Sequence, residues 1–286
     1  MTLAHKTSFQ AIGTSWHIDT ATPLSDTLRK TIDQRADQFD KTYSRFRSDS
    51  LVTQIATRAG TYQFPADAQK IISFYKDLYQ LTDGLVTPLI GEMLERAGYD
   101  ATYSFKPQLQ LPLPGWDDVM TWHGNELTTT SLITLDIGAA GKGYLIDIIA
   151  EILHDDGHEE VVIDASGDIR HSGSQPQRIG LEHPRDSTKI IGTVDIHNQS
   201  ICASATNRRS WGSDMHHIFH PKQKRPVQDV IATWVIADTA LVADGIATAL
   251  FLVNGDELAG QFDFSYVRMH HDGSVDYSRN FKGELF

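Results

Sequence analysis

The sequence is poor in cysteine and has no long apolar run. Its 286 residues include one cysteine, Cys202, which excludes an internal disulfide and favours a reducing compartment. No apolar segment reaches the roughly 20 residues that a membrane-spanning helix needs. The N-terminal stretch "MTLAHKTSFQAIGTSW" lacks the charged start and apolar run of a signal peptide. We therefore expect a cytoplasmic protein without an integral membrane segment, or an exported one if a leader has been removed.

Positive charge is scarce as well. Lys and Arg number 25 against 37 Asp and Glu, which gives a net charge of −12 at pH 7. A chain with this charge repels a phosphate backbone, so nucleic-acid binding is not expected, although a small anion could bind at a local site. With 40% hydrophobic residues, the chain can bury a core as one compact domain or as two fused lobes.

Helical periodicity is clear in three segments. Helices are predicted over residues 25–46, 66–84 and 143–157, the first entered at Ser25 and the second closed by Gly84. The apolar stripe of the first helix comprises Leu28, Ile32, Ala36, Phe39 and Tyr43.

Strand patterns lie between these helices. Strands are predicted over residues 9–19, interrupted by Gly13, and over 160–164 and 230–238. Asp272-Gly273 stands between two half-apolar runs and predicts a hairpin. Hairpins mixed with helices favour an α+β fold over a doubly wound sheet.

One apolar helix carries two unexpected polar residues. The segment "LVADGIATALFLV" (241–253) suits burial, yet it holds Asp244 and Thr248 one turn apart. Because residues four apart are neighbours on a helix, the carboxylate and the hydroxyl point to one place. Oxygen ligands of this kind suit Mg²⁺. Alternatively, Asp244 caps the helix and Thr248 bonds to a carbonyl of the preceding turn, and the spacing does not decide between the two.

A glycine-rich loop precedes the predicted third helix. In "LDIGAAGKGYLID" (135–147), Lys142 lies between Gly141 and Gly143. Such a loop at a helix start can cradle phosphate oxygens with its backbone N–H groups. It matches neither the P-loop nor the G-x-G-x-x-G pattern, so a tight turn with a solvated lysine is the alternative.

Taken in order, these stretches resemble the FAD:protein FMN transferases of the ApbE type. The resemblance rests mainly on the Asp-x-Gly…Lys-Gly-Tyr loop and on "ADGIATALF" (243–251), with support from "AIGTSW", "YSRFRSDS", "TDGLVTPLIG", "SGDIRHSG" and "HHIFHP". It implies an α+β fold of mixed helices and largely antiparallel sheets, in two closely packed lobes with the flavin site between them. It also implies a single domain over residues 1–286.

The activity implied by the resemblance is Mg²⁺-dependent transfer of FMN from FAD to a threonine hydroxyl, with release of AMP. The partner is an acceptor protein with an Asp-Ser/Thr-Gly-Ala/Ser-Thr motif. Asp244, Thr248 and the backbone of Ala139 would hold the metal. His217 matches the histidine of the family's His-Ile-Ile-Asp-Pro element and is the candidate general base, with activity expected to fall as pH drops through ~6.5.

The same resemblance places further residues against FAD. The FAD-binding residues implied in this way are Ile12, Phe46, Leu85, Val86, Thr87, Asp136, Lys142 and Ile218.

Several positions depart from the family pattern. Many relatives carry an acid where this chain has Thr87, and some carry one where it has Ala247, so weaker metal binding is expected. Hydrolysis of FAD to FMN and AMP is an alternative activity, and a flavin-binding or flavin-trafficking protein without turnover is another. A zinc site built from His216, His217 and His220 is a further alternative.

Overall fold

A computed structural model describes residues 3–212 and 215–286 of the chain. The helices, numbered along the chain, are α1 (Asp26–Tyr43), α2 (Leu51–Thr57), α3 (Ala68–Leu81), α4 (Gly91–Arg96), α5 (Trp116–Val119), α6 (Gly141–Asp155), α7 (Ala240–Ala249) and α8 (Gly255–Leu258), with a 3-10 helix at Pro88–Ile90. Of the helices in these described ranges, none is both long enough and apolar enough to cross a bilayer.

The strands are short and numerous. They are β1 (His5–Ala11), β2 (Thr14–Thr20), β3 (Thr61–Gln63), β4 (Met120–His123), β5 (Glu126–Thr129), β6 (Val161–Ala165), β7 (Asp168–Ser172), β8 (Gln177–Glu182), β9 (Ile190–Ile196), β10 (Ser200–Ala205), β11 (Ser210–Trp211), β12 (Met215–His216), β13 (Phe219–His220), β14 (Arg225–Pro226), β15 (Val230–Ala237), β16 (Phe264–His270), β17 (Val275–Tyr277) and β18 (Glu284–Leu285).

The chain divides into two compact units. The first unit comprises the residues up to Asp37 together with Ala140–Arg208 and Gln228–Phe286, and the second unit comprises Gln38–Ala139 and Arg209–Val227. The single domain over residues 1–286 stays a prediction.

The first unit is built on an eight-stranded antiparallel sheet. Its strand order is β1-β2-β6-β7-β10-β15-β16-β17, and a three-stranded sheet, β18-β9-β8, completes the unit. Strand β15 is buried at every position because α7 packs on one side of it and an apolar cluster with β8 and β9 covers the other. This two-sided burial explains the continuous apolar sequence of β15. The α+β fold is confirmed.

The second unit is mainly helical. It contains α2 to α5, the three-stranded sheet β3-β5-β4 and two short hairpins, β11-β12 and β13-β14. Part of its core is a cluster around Met93, Leu94, Tyr99, Trp211 and Phe219.

Most predicted elements are present with shifted ends. Helix α1 starts after Ser25, whose Oγ accepts from Leu28 N at 3.1 Å, and its whole apolar stripe is buried. The hairpin at Asp272-Gly273 joins β16 and β17, with Gly273 at φ +89°. The segment 241–253 is helical only to Ala249.

The predicted interrupted strand over residues 9–19 is wrong in its topology. Strands β1 and β2 pair antiparallel, so the chain reverses at Ile12-Gly13 instead of continuing. Gly13 has φ +76°, and Ile12 has φ 44°, a backbone region that β-branched residues rarely adopt. The turn therefore holds Ile12 under backbone strain.

Candidate functional site

Asp244 lies in the middle of α7 and is buried. Its Oδ2 accepts a hydrogen bond from Gly143 N at 2.8 Å. The cap of α7 is Thr239, whose Oγ1 accepts from Val242 N at 3.3 Å, so the capping alternative for Asp244 is wrong. Thr248 lies one turn further along the same helix and is partly buried. A carboxylate and a hydroxyl on successive turns form an all-oxygen donor set, which fits Mg²⁺.

Lys142 stands in the first turn of α6 and is paired with a buried acid. Its Nζ lies 2.8 Å from Asp168 Oδ2, and Asp168 Oδ1 accepts from Ala203 N at 3.0 Å. Burial lowers the pKa of Lys142, but the charges of Asp168 and Asp244 outweigh this effect and the pKa is raised. The lysine side chain is 24% exposed, so the alternative of a solvated surface lysine is wrong.

The start of α6 suits a phosphate. The residue before the helix is Ala140, whose side chain caps none of the first N–H groups, although the N–H of Gly143 donates to Asp244 Oδ2. Such groups and the helix dipole attract an anion, and Lys142 adds a positive charge in the same turn. That Lys142 contacts FAD stays a prediction.

Cys202, on β10, lies beneath the start of α7. Its Sγ is 3.7 Å from Ala240 O, and the side chain is fully buried. Burial, followed by the charges of Asp168 and Asp244, raises the pKa of the thiol well above its usual value. The thiol therefore stays protonated and unreactive.

In the second unit, Asp136 and Arg45 form a buried pair. Arg45 Nε donates to Asp136 Oδ2 at 2.6 Å, and Gly138 N donates to Oδ1 at 2.6 Å. Burial raises the pKa of Asp136, but the charge and hydrogen bond of Arg45 outweigh it, so the pKa is lowered. Both carboxylate oxygens are thus engaged with protein groups that shape the glycine-rich loop.

Phe46 is part of a row of rings. The Arg45 guanidinium lies 4.2 Å from the centroid of the Phe46 ring, and Tyr103 stacks on that ring at 5.5 Å with an interplanar angle of 7°. Tyr99 meets it edge-on at 5.3 Å. Phe46 thus contacts a guanidinium and two tyrosine rings, and its predicted contact with FAD stays a prediction.

The segment from Leu85 to Thr87 leads into the 3-10 helix. Thr87 Oγ1 caps that helix by accepting from Leu89 N at 3.2 Å. Val86 is buried, and its N–H donates to Thr82 Oγ1 at 3.0 Å. The hydroxyl of Thr87 therefore caps the 3-10 helix, and its predicted contact with FAD stays a prediction.

His217 is set up as a neutral acceptor. Its Nδ1 lies 3.3 Å from the carbonyl oxygen of Arg209. Because a carbonyl can only accept, Nδ1 carries the hydrogen and Nε2 keeps the lone pair. Burial, followed by the charge of Arg209, lowers the pKa of His217 to about 3. Protonation of His217 is therefore not expected near pH ~6.5, and the pH dependence of activity stays a prediction.

The other histidines of the cluster have different surroundings. His216 is buried, with Nε2 2.9 Å from Val227 O and Nδ1 accepting from Ile218 N at 3.3 Å, so both ring nitrogens are used. His220 Nδ1 accepts from Gln223 N at 3.3 Å. Over residues 3–212 and 215–286, no three His, Cys, Asp or Glu side chains are grouped to hold a metal. The zinc alternative is therefore not supported.

The predicted site residues divide between the two units. Ile12, Lys142, Asp244 and Thr248 belong to the first unit; Phe46, Leu85 to Thr87, Asp136, Ala139, His217 and Ile218 belong to the second. Pattern analysis missed Arg45, Asp168 and Arg209, although "YSRF" and "SGD" contain two of them. Arg45 and Asp168 are buried charges whose partners, Asp136 and Lys142, lie in other segments, so the local pattern does not reveal them.

Comparison with solved structures shows the fold class. The ApbE protein from Thermotoga maritima superposes with a TM-score of 0.82 at 22% identity, over 97% of this chain and 98% of that one. The flavin transferase ApbE from Vibrio cholerae gives 0.77 at 21% identity, with the same coverage of 97% and 98%. The protein thus has the ApbE-like α+β fold.

Sequence comparison then gives the family. The family model described as "ApbE family" matches residues 12–263, and the chain belongs to this family. A curated relative named FAD:protein FMN transferase from Vibrio cholerae is 24% identical over 289 residues, covering 90% of this chain and 84% of the relative. Another of that name, from Rhodobacter capsulatus, is 24% identical over 259 residues. That match covers 83% of this chain, which spans about half (49%) of the relative's length.

Proposed function

We propose that the protein transfers FMN from FAD to an acceptor protein. The observation that carries this proposal is the buried Asp244 in an apolar helix, bonded to the backbone of the Gly-Lys-Gly turn that also bears Lys142. Membership of the ApbE family supports it, because relatives in this family are named FAD:protein FMN transferase.

The diphosphate of FAD is the group that this chemistry must hold. We expect the N–H groups of Gly141 and Lys142 at the start of α6 and the Lys142 ammonium to bind its oxygens, and the flavin and adenine rings to contact Ile12, Phe46, the segment 85–87 and Ile218. Asp244, Thr248 and the backbone of Ala139 would hold Mg²⁺. When bound, the metal neutralises charge on the diphosphate. Asp136 acts indirectly, by holding Arg45 and the glycine-rich loop.

The reaction is a substitution at the phosphorus of the FMN half. The acceptor threonine oxygen attacks this phosphorus, a new phosphoester bond forms, and the bond to the AMP half breaks so that AMP leaves. The hydroxyl proton passes to Nε2 of His217, which is the lone-pair nitrogen of the neutral ring. The acceptor is a protein segment of the Asp-Ser/Thr-Gly-Ala/Ser-Thr type.

The deciding experiment incubates the protein with FAD and Mg²⁺, with and without a peptide carrying the acceptor motif. Flavinylated peptide is measured by mass spectrometry and AMP by chromatography. We expect peptide-dependent AMP and a peptide mass increased by one FMN. AMP without peptide would indicate FAD hydrolysis instead, and no AMP in either arm would indicate a flavin-binding protein without turnover.

A matched pair of variants tests the site. Asp244→Asn should reduce transfer by at least about 10-fold at limiting Mg²⁺, because a neutral amide does not balance the charge of a cation. Asp256→Asn makes the same change on an exposed position of α8 and should leave transfer unchanged. Equal activity of the two variants would contradict the role of Asp244.

A further inference from the structure

Asp147 is a buried carboxylate that the proposed reaction does not use. It lies on α6 and is 4% exposed. Its Oδ1 accepts from Ala240 N at 2.9 Å and from Arg170 Nη1 at 2.8 Å, and its Oδ2 accepts from Leu241 N at 2.9 Å. A buried carboxylate is tolerated because it is both charge-paired and hydrogen-bonded, so this residue is tied to its surroundings through both oxygens.

The partners of Asp147 are the first residues of α7. The first four N–H groups of a helix have no partner within the helix, and a negative charge beside them is favourable. Thr239 Oγ1 takes the N–H of Val242, whereas Asp147 takes those of Ala240 and Leu241. Two of these bonds therefore come from a residue 93 and 94 positions away. The start of α7 is thus attached to α6, in addition to its own local cap.

Gly143 forms a second attachment between the same two helices. A Cβ at Gly143 would overlap the carbonyl oxygen of Ala240 and would lie 2.7 Å from Asp244 Cβ, so the two helices touch through backbone here. Gly143 N also donates to Asp244 Oδ2. Gly143 and Asp147 are four residues apart and therefore lie on one face of α6. This face holds α7 at Ala240 and Leu241 and, one turn later, at Asp244 itself.

We infer that Asp147 is a positioning residue for Asp244 and Thr248, an inference that rests on the proposed function of that site. By fixing where α7 begins, Asp147 sets the rotation and height of the helix and hence the direction of both side chains. Arg170 supports Asp147: its Nη1 also donates to Asp238 O at 3.1 Å, next to the start of α7. A role in folding alone would lower stability without changing the metal site selectively.

The test compares Asp147→Asn with Val267→Ala. The asparagine side chain keeps the size of aspartate, but it offers one acceptor oxygen where the two N–H groups and Arg170 need two. Val267 is a core residue of β16 in the apolar cluster with β8, β9, β10 and β15, so its truncation lowers stability without altering the contacts of Asp147. Three quantities are measured: hydrogen exchange of residues 240–249, binding of Mn²⁺ to the FAD complex by EPR, and the Mg²⁺ dependence of FMN transfer.

For Asp147→Asn we expect faster exchange at the start of α7 and at least about 10-fold weaker Mn²⁺ binding, the scale seen when the supports of metal ligands are removed. The Mg²⁺ concentration for half-maximal transfer should rise in parallel, while the dissociation constant for FAD changes by less than about 3-fold. Val267→Ala should lower the melting temperature without either change in α7 or in metal binding. Should Asp147→Asn fail to fold, Arg170→Gln should shift the same three measurements in the same direction.

Two results would overturn the inference. One is wild-type exchange in α7 of the Asp147 variant, and the other is an equal loss of Mn²⁺ binding in Val267→Ala. A wild-type protein that transfers no FMN would instead contradict the proposed function, and the exchange data would still decide whether Asp147 fixes α7. A wild-type protein that binds no Mn²⁺ would remove the metal site and, with it, this inference.

Discussion

At the scale of the residue, hydrogen bonds decide which atoms remain available for chemistry. His217 and His216 are neighbours in sequence, yet only His217 keeps a lone-pair nitrogen, because both nitrogens of His216 bond to backbone groups. The surroundings also fix protonation, since burial and Arg209 lower the pKa of His217 to about 3. The imidazole of His217 is thereby neutral over the whole physiological pH range.

His217→Asn should lower the rate of FMN transfer by roughly 10²-fold, the usual loss when a general base is removed. FAD binding should be unchanged, as measured by flavin fluorescence. His220→Asn, in the same hairpin region, should transfer at close to the wild-type rate.

The pH dependence of wild-type transfer gives an independent measurement. A histidine with a lowered pKa stays neutral until the pH falls towards that value. Between pH 8 and about 5, kcat should therefore show no protonation of His217. An apparent pKa near 6.5 in kcat that disappears in His217→Asn would contradict the assigned environment.

Ile12, which is predicted to contact FAD, has a strained backbone conformation. Asparagine adopts left-handed backbone more readily than isoleucine does, so Ile12→Asn should relieve part of a strain of about 1–3 kcal/mol and raise the melting temperature. The same change removes an apolar contact and should weaken FAD binding. Ile190→Asn, on an exposed position of β9, should leave FAD binding unchanged. Unaltered FAD affinity in Ile12→Asn would argue that the residue does not touch the ligand.

At the scale of the element, the Lys142–Asp168 pair joins the first turn of α6 to β7. Lys142→Met should lower the free energy of unfolding by roughly 1–3 kcal/mol, because it leaves the buried Asp168 carboxylate without its charge partner. The double change Lys142→Met with Asp168→Asn should recover part of this loss in urea unfolding. Both variants should bind FAD more weakly and riboflavin nearly normally, because only FAD carries a diphosphate. Equal losses for both ligands would contradict a phosphate contact.

Elements set by local pattern could be predicted, and those set by distant partners could not. The stripe of α1 and the Asp272-Gly273 turn carry their information within a few residues, so both were found from the sequence. The apparent strand over residues 9–19 reverses at Ile12, because the turn places isoleucine where a glycine or asparagine is usual. The position of Asp244 in an apolar helix predicts a metal ligand from the sequence alone. The bond from Ala240 N to Asp147, which fixes the start of that helix, joins residues 93 positions apart. No local pattern carries such a contact, and the same holds for the burial that shifts the pKa of His217.

At the scale of the whole molecule, both units are assembled from segments that are distant in sequence. A ligand that binds only the folded protein raises the free energy of unfolding of the whole molecule, so its binding can be measured by thermal unfolding. FAD at about 100 times its dissociation constant stabilises the native state by roughly 2.7 kcal/mol. We expect FAD to raise the melting temperature of the wild type and Mg²⁺ to raise it further. In Asp244→Asn the FAD increment should remain and the Mg²⁺ increment should be lost. A Mg²⁺ increment in that variant equal to the wild-type value would place the cation elsewhere.

The buried state of Cys202 has a practical consequence. It is the only cysteine in the sequence, and its protonated, enclosed thiol should not react with a maleimide while the protein is folded. A cysteine introduced at an exposed position would then carry a spectroscopic label alone, without prior removal of the native thiol. Conversely, modification of Cys202 reports that the segment beneath Ala240 has opened. The rate at which maleimide modifies Cys202 in the native protein would therefore measure how often the start of α7 separates from β10.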